Sequence, residues 1–165
     1  MTAAVSLLLA ANAAATSVQV AIVREALSAK IVPEGRVSVV APGGGGKPLG
    51  WKGELTLRPR DGGLSLADLR LKTGTRLVPE DGARIRVGAN SHRGTLILRL
   101  DPGQTVTIVE ELEIEGYLEG VLPHEMDPDW PLEALKAQAV VARTFTYANM
   151  GKFRVAVVSA SEKRQ

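Results

Sequence analysis

The 165-residue chain has no cysteine, which removes disulfide cross-links, thiol catalysis and thiolate metal sites together. It leaves the compartment open, because many exported proteins also lack cysteine. Aromatic residues make up only 4% of the chain, too few for a broad platform on which sugar rings stack. Charge of one sign is also scarce: 20 Lys and Arg against 18 Asp and Glu leave a formal net charge of +2, which argues against nucleic-acid binding as the main purpose. No apolar run is long enough to span a bilayer, which takes about 20 residues. The longest, Ala3 to Ala15, ends in Ala13-Ala14-Ala15 before Thr16, like the apolar core and small-residue cleavage site of a secretory signal. The basic start of such a signal is missing. Residues 1–15 therefore read as a signal peptide or, alternatively, as an N-terminal helix.

A phosphate loop is also lacking. Pro42-Gly43-Gly44-Gly45-Gly46-Lys47-Pro48 invites that reading, but Ala41 stands where the first glycine belongs and Pro48 replaces the Ser or Thr that would hold magnesium. The stretch reads as a flexible hairpin or linker. A metal site is not expected either, because His124 has no second histidine three or four residues away. His92, in a turn before a strand, is expected to be exposed. No cofactor is implied.

What is present is enough apolar sequence, 45%, for one ordinary domain. Alternation predicts strands over Val18–Val23, Arg36–Ala41, Glu54–Arg58, Arg84–Val87, Thr95–Leu100 and Thr105–Glu113. Turn signals at Asp61-Gly62-Gly63, Asp81-Gly82 and Asp101-Pro102-Gly103 separate several of them, as in an antiparallel meander packed under later helices. No repeat of fixed period is visible.

Those helices carry the candidate chemistry. Glu115–Leu122 reads as a short helix stopped by Pro123, with Leu118, Val121 and Leu122 inward. Pro131 suits the first position of a second helix, Asp129 is a plausible cap and Gly151 a natural stop. Between Leu132 and Met150 the only charges are Glu133, Lys136 and Arg143, so this helix is expected to be buried. One stripe of it (Leu132, Leu135, Ala139, Ala142, Thr146, Met150) is core. The neighbouring stripe of Lys136, Val140, Arg143 and Tyr147 is either a row of snorkelling side chains or the wall of a cleft for a polar ligand. Gln138 lies about 140° from Arg143 around the axis, so the two do not readily face one cleft, and Gln138 is expected to be a structural hydrogen-bonder. In the loop between the helices Glu125 is followed by Met126 and, further on, Trp130. Desolvation by such neighbours favours a protonated carboxyl able to donate near neutral pH. A solvated loop glutamate is the bland alternative. Asp127 and Asp129 look like turn and cap residues.

The run Gly116-Tyr-Leu-Glu-Gly-Val-Leu-Pro-His-Glu-Met126, then Trp130-Pro131, then Glu133-Ala-Leu-Lys-Ala-Gln-Ala-Val-Val-Ala-Arg-Thr144, resembles the signature of the SpoIID/LytB family. That family comprises stage II sporulation protein D-type peptidoglycan lytic transglycosylases and related bacterial amidase enhancers. The match is ungapped through Tyr147; His92-Arg93-Gly94 before it is similar in style. The resemblance implies an α+β fold in which an antiparallel strand-rich part (16–103) precedes the first half of a SpoIID-like core (104–165). That half holds the short helix, an active loop and the long buried helix. It implies Glu125 as the catalytic acid/base acting between N-acetylmuramic acid and N-acetylglucosamine, with Arg143, Lys136 and Tyr147 expected to bind substrate. One carboxylate suffices: it protonates the glycosidic oxygen and then takes the proton of the sugar's C6 hydroxyl, closing a 1,6-anhydro ring, unlike the two-carboxylate hydrolases. Because a cation touching Glu125 would favour its ionised form, Arg143 is expected to act at one remove.

The partners implied are peptidoglycan glycan strands and a cell-wall amidase, with no nucleic acid and no stable membrane span. The place of action implied is outside the cytoplasm, at the cell wall or envelope, for which a sequence pI near 9.1 is suited by the wall's anionic character. Family members continue past Gln165 with a second half that completes the sheet and closes the cleft, so the chain reads as C-terminally truncated. A non-catalytic wall-binding module that enhances an amidase is the alternative function.

Overall fold

The computed structural model describes residues 17–50 and 52–149. In chain order the elements are β1 (Ser17–Ala26), β2 (Ala29–Glu34), β3 (Val37–Val40), β4 (Gly46–Pro48), β5 (Leu55–Arg60), β6 (Gly63–Leu66), β7 (Leu69–Leu71), β8 (Thr75–Pro79), β9 (Arg84–Val87), β10 (Asn90–His92), β11 (Thr95–Asp101), β12 (Thr105–Glu113), α1 (Ile114–Glu125) and α2 (Leu132–Asn149). The class is α+β, with the strands first and the helices last, as the sequence implied.

The strands form two six-stranded sheets, ordered β1-β12-β11-β8-β3-β4 and β10-β9-β2-β5-β6-β7. Every pairing is antiparallel. The expected meander is therefore a sandwich, because one face of each sheet is apolar and the two faces cover each other. Leu96, Leu98, Val106 and Ile108 of the first sheet share a core with Ile31, Leu57, Leu64, Leu66 and Ile85 of the second. Each such side chain contributes roughly 1.5–3 kcal/mol by leaving water. The sandwich thus has a core of its own without help from the second helix. The glycine-rich stretch forms the turn of the β3–β4 hairpin, where Gly43, Gly44 and Gly45 all take positive φ that other residues resist.

α1 begins where β12 ends and packs over β1. Ile114 and Leu118 join Val18 and Val20 in a second, smaller cluster, with Leu112, Tyr117, Leu122 and Ala142 against it. The helix does not stop at Leu122 as its proline suggested. Pro123 lies inside the last turn, where its fixed φ suits the helix, and Met126 N donates to Leu122 O at 3.0 Å to close the end.

One expectation is overturned: α2 is not buried. None of its described residues is buried, and Leu132, Val141 and Phe145 are 63%, 60% and 64% exposed. The physical reason is that apolar composition reports a need for a partner, while the sheets have already satisfied each other. Among the described residues α2 reaches the small cluster only through Ala142. The N-terminal segment 1–15, expected as a signal peptide or a helix, lies outside the described residues. No helix among the described residues is long and apolar enough to cross a membrane.

Candidate functional site

Glu125 is the last residue of α1, not a loop residue, and it is exposed. Met126 and Trp130 do not enclose it; Trp130 is itself 54% exposed. The enclosure expected from the sequence fails because the loop is held by its own backbone. Asp127 Oδ1 accepts from Asp129 N at 3.0 Å and Trp130 N donates to Asp127 O at 3.1 Å, a turn that directs Trp130 outward. Pro131 O then accepts from Ala134 N at 2.8 Å to start α2.

The two helices are joined by two polar links. Gln138 Nε2 donates to Glu125 Oε2 at 2.9 Å. Arg143 donates through Nε and Nη2 to the two oxygens of Glu115, at 2.8 and 2.7 Å. Such a bidentate pair fixes orientation as well as distance. It holds the Glu115 carboxyl below its ordinary value, chiefly by the hydrogen bond and then by charge. Lys136 is paired with Glu133 at 2.8 Å, and Tyr147 is half exposed one turn beyond Arg143. None of Arg143, Lys136 and Tyr147 is hydrogen-bonded to Glu125; Gln138, from another side of α2, is.

Beside α1 lies a groove of about 290 Å³. Its walls come from the β9–β10 hairpin, from Glu110 of β12 and from the α1 face that carries Gly116, Tyr117, Gly120 and His124. Glu125 is not part of the lining, yet it follows His124 in the chain. The Tyr117 phenol is pushed up by burial and, secondarily, by the charge of Glu125.

The groove contains a carboxylate that sequence reading missed. Glu110 is 8% exposed and faces the apolar side of β12, in phase with Val106 and Ile108. His92 Nδ1 lies 2.7 Å from Glu110 Oε2, and Gly94 N donates to Oε1 at 2.9 Å. Burial raises the Glu110 carboxyl, but the bonds from His92 and Gly94, the His92 charge and the Arg93 N–H together hold it below its ordinary value. His92 is therefore not exposed as expected: its side chain retains 12% of its accessible surface because it pairs across from Ile85 of β9 and shares its inward face. The clue was available, since period two along Thr105–Glu113 puts Glu110 among the core residues. Arg93 Nη1 completes the arrangement by donating to Glu119 Oε2 of α1 at 2.6 Å. His92-Arg93-Gly94 thus ties the sheet to the helix that ends in Glu125. Among the described residues no group of three or more His, Asp or Glu side chains is gathered as metal ligands would be.

Residues 102–165, which contain this helical hairpin, match the family of stage II sporulation protein, SpoIID. From residue 102 onward the chain is thus similar to the SpoIID family. The chain is similar to a protein of Brachyspira hyodysenteriae of undescribed function, 71% identical over 41 residues, which cover 25% of this chain and 11% of that protein. It is also similar to the amidase enhancer of Bacillus subtilis, 56% identical over 34 residues, which cover 21% of this chain and 5% of that protein. The matched stretches are thus a small share of either relative's length. No solved structure matches the chain.

Proposed function

We propose that the chain acts on peptidoglycan as part of a lytic transglycosylase, with Glu125 as its single acid/base, at the cell envelope outside the cytoplasm. The observation that carries this reading is the identity of the group holding Glu125. It is an amide, Gln138, at 2.9 Å, while the guanidinium of Arg143 is bound to Glu115 at the other end of α1. An amide has a donor end for a carboxylate and an acceptor end for a carboxylic acid. It serves both protonation states, as a group that must first give and then take a proton requires. A guanidinium has no acceptor and would favour the ionised form alone.

On this reading protonated Glu125 gives its proton to the glycosidic oxygen as the bond from C1 of N-acetylmuramic acid to that oxygen breaks. The carboxylate so formed takes the proton of the C6 hydroxyl, whose oxygen bonds to C1 and closes the 1,6-anhydro ring. Water does not enter. Arg143, Lys136 and Tyr147, exposed or half exposed along α2, bind outlying polar groups of the strand.

A second reading, a non-catalytic wall-binding module that stimulates a separate amidase, is supported by the exposure of Glu125 and by the Bacillus subtilis relative's name. Digestion of purified glycan strands followed by mass spectrometry for 1,6-anhydromuramyl ends separates the two. The enzymatic reading expects such ends from the parent chain and none from Glu125→Gln. Ends that persist in that variant refute it, and amidase stimulation undiminished by the same substitution supports the module.

A further inference from the structure

The two sheets of the sandwich end in four strands, β1, β4, β7 and β10, whose outer edges pair with no other described strand, and three of those edges are blunted. β1 is broken by two register shifts, which twist an edge away from a straight partner. β4 carries Pro48, which has no N–H to offer. β10 stands across a groove from α1, to which the following Arg93 ties it. β7 has none of these devices. It reads Leu69-Arg70-Leu71 and is joined to β6 by a two-residue turn in which Ala67 takes positive φ, as tight hairpins require.

That turn decides which backbone groups of β7 are engaged. Leu66 and Leu69 close the hairpin as its hydrogen-bonded pair, so alternation makes Ser65 and Arg70 the non-bonded pair. The Arg70 N–H and C=O therefore point away from β6, to the side where no described strand lies. Side chains follow the same alternation. Leu69 and Leu71 pair with the buried Leu66 and Leu64, so they face inward, into a slot of about 680 Å³ between β7 and the β3–β4 hairpin. Val39 and Pro48 belong to its opposite wall. Leu71 and Val39 both pack against the main core, so the slot continues the apolar layer past the last strand. Arg70 stands on the outer face, in the cross-strand row Arg58-Ser65-Arg70. Its charge is not cancelled, because Arg60 and Arg70 share the single carboxylate of Asp61, at 3.5 and 3.6 Å. Lys47 and Lys72 also line the slot, and no carboxylate among the described residues does.

We infer that β7 is a docking edge for an extended acidic segment of a partner protein, which joins the second sheet as its outermost strand. The segment that fits reads apolar-acidic-apolar. Its acidic residue stands opposite Arg70, and its two neighbours enter the slot beside Leu69 and Leu71. A second copy of this chain does not fit, because β7 laid antiparallel against itself puts Arg70 opposite Arg70. The inference concerns the strand-rich part alone and does not rest on the glycan reading above.

The test is an NMR titration of the full chain with an acetylated and amidated Ser-Thr-Val-Glu-Val-Thr-Ser peptide and, at equal ionic strength, with the same peptide carrying Lys in place of Glu. The Glu peptide should give saturable amide shifts over Leu69–Lys72 and at Lys47, and slow the solvent exchange of the Arg70 amide. The Lys peptide should bind about tenfold more weakly. Arg70→Glu should reverse that preference. Arg70→Pro removes the outward N–H at a position where an edge strand tolerates proline, and should abolish binding of either peptide. If that variant does not fold, the reversal in Arg70→Glu decides. No shifts in β7, equal binding of the two peptides, or full binding by a folded Arg70→Pro chain would overturn the inference. So would the same shifts produced without peptide, by phosphatidylglycerol vesicles or by raising the protein concentration alone.

Discussion

Gln138 and Glu125 meet through a single neutral-donor hydrogen bond of 2.9 Å between the second helix and the end of the first. Arg143, further along α2, makes its bidentate pair with Glu115, in the first turn of α1 and at the opposite end of that helix from Glu125. The pairing separates the job of orienting the carboxylate from the job of bracing the helices. Gln138→Ala is therefore expected to lower the rate of anhydro-end formation about tenfold, the equivalent of one hydrogen bond worth ~1.4 kcal/mol, with little change in Tm. Gln138→Arg should lower it further, because a cation would hold Glu125 ionised. Product yield by mass spectrometry and thermal melts check both. A Gln138→Arg chain as active as the parent would refute the neutral-partner argument.

The Glu115–Arg143 brace predicts a pH dependence of helix docking. The folded Glu115 carboxyl lies below its unfolded value, so its contribution is fully present above the unfolded value and is lost as pH falls through the folded one. Carboxyl resonances of Glu115, followed by NMR from neutral to acid pH, should titrate below the ordinary range in the parent and return to it in Arg143→Gln. Because the pair is exposed, salt should narrow the difference.

Glu110 makes the same kind of prediction for the sheet, with greater consequence because it is buried. Its folded value is also depressed from the ordinary 4.5, so the stabilisation it gives is complete above that pH and disappears on further acidification. His92→Ala leaves a buried carboxylate short of one partner and should cost about 1–3 kcal/mol in urea unfolding at neutral pH. Glu110→Gln should remove the acid sensitivity that the parent shows by circular dichroism.

Gly94 is the backbone condition for that pair. A Cβ there would lie 2.6 Å from Glu111 O and 2.7 Å from Glu110 Cγ, neither of which can yield without disturbing β12. Gly94→Ala should thus destabilise by roughly 1–3 kcal/mol. Gly120→Ala, where the same atom meets open space, should be neutral or stabilising. Equilibrium unfolding of the two variants side by side tests whether close contact, and not loss of glycine as such, governs the effect.

Much of this was legible in the residues. β9 and β12 run over Arg84–Val87 and Thr105–Glu113, the predicted spans, because glycine-containing turns precede them and no Pro or Gly interrupts them. β2 was hidden by Pro33, which the sheet tolerates where β2 pairs with β9 after its register with β5 has ended. Strands as short as β7 and β10 carry too few alternations to be seen. At the site, the motif pointed to Glu125 and Arg143 but not to their partners. Gln138 was set aside because helix periodicity compares positions on one axis, whereas the carboxylate approaches from another helix. Glu110 was overlooked because an acidic residue in a strand is normally taken to face water.

The exposure of α2 leads to a last prediction, which opposes composition to packing. Its sequence from Leu132 onward reads as core, yet Val141 and Phe145 are 60% and 64% exposed, whereas Leu98 of β11 is fully buried. If exposure governs, Val141→Thr and Phe145→Ser should each change the unfolding free energy of this chain by no more than about 0.5 kcal/mol. Leu98→Ala should cost about 2–5 kcal/mol. Chemical denaturation of the three variants decides the matter. A loss of several kcal/mol from either helix substitution would mean that this face of α2 is covered in solution, and would restore the buried helix that composition alone suggested.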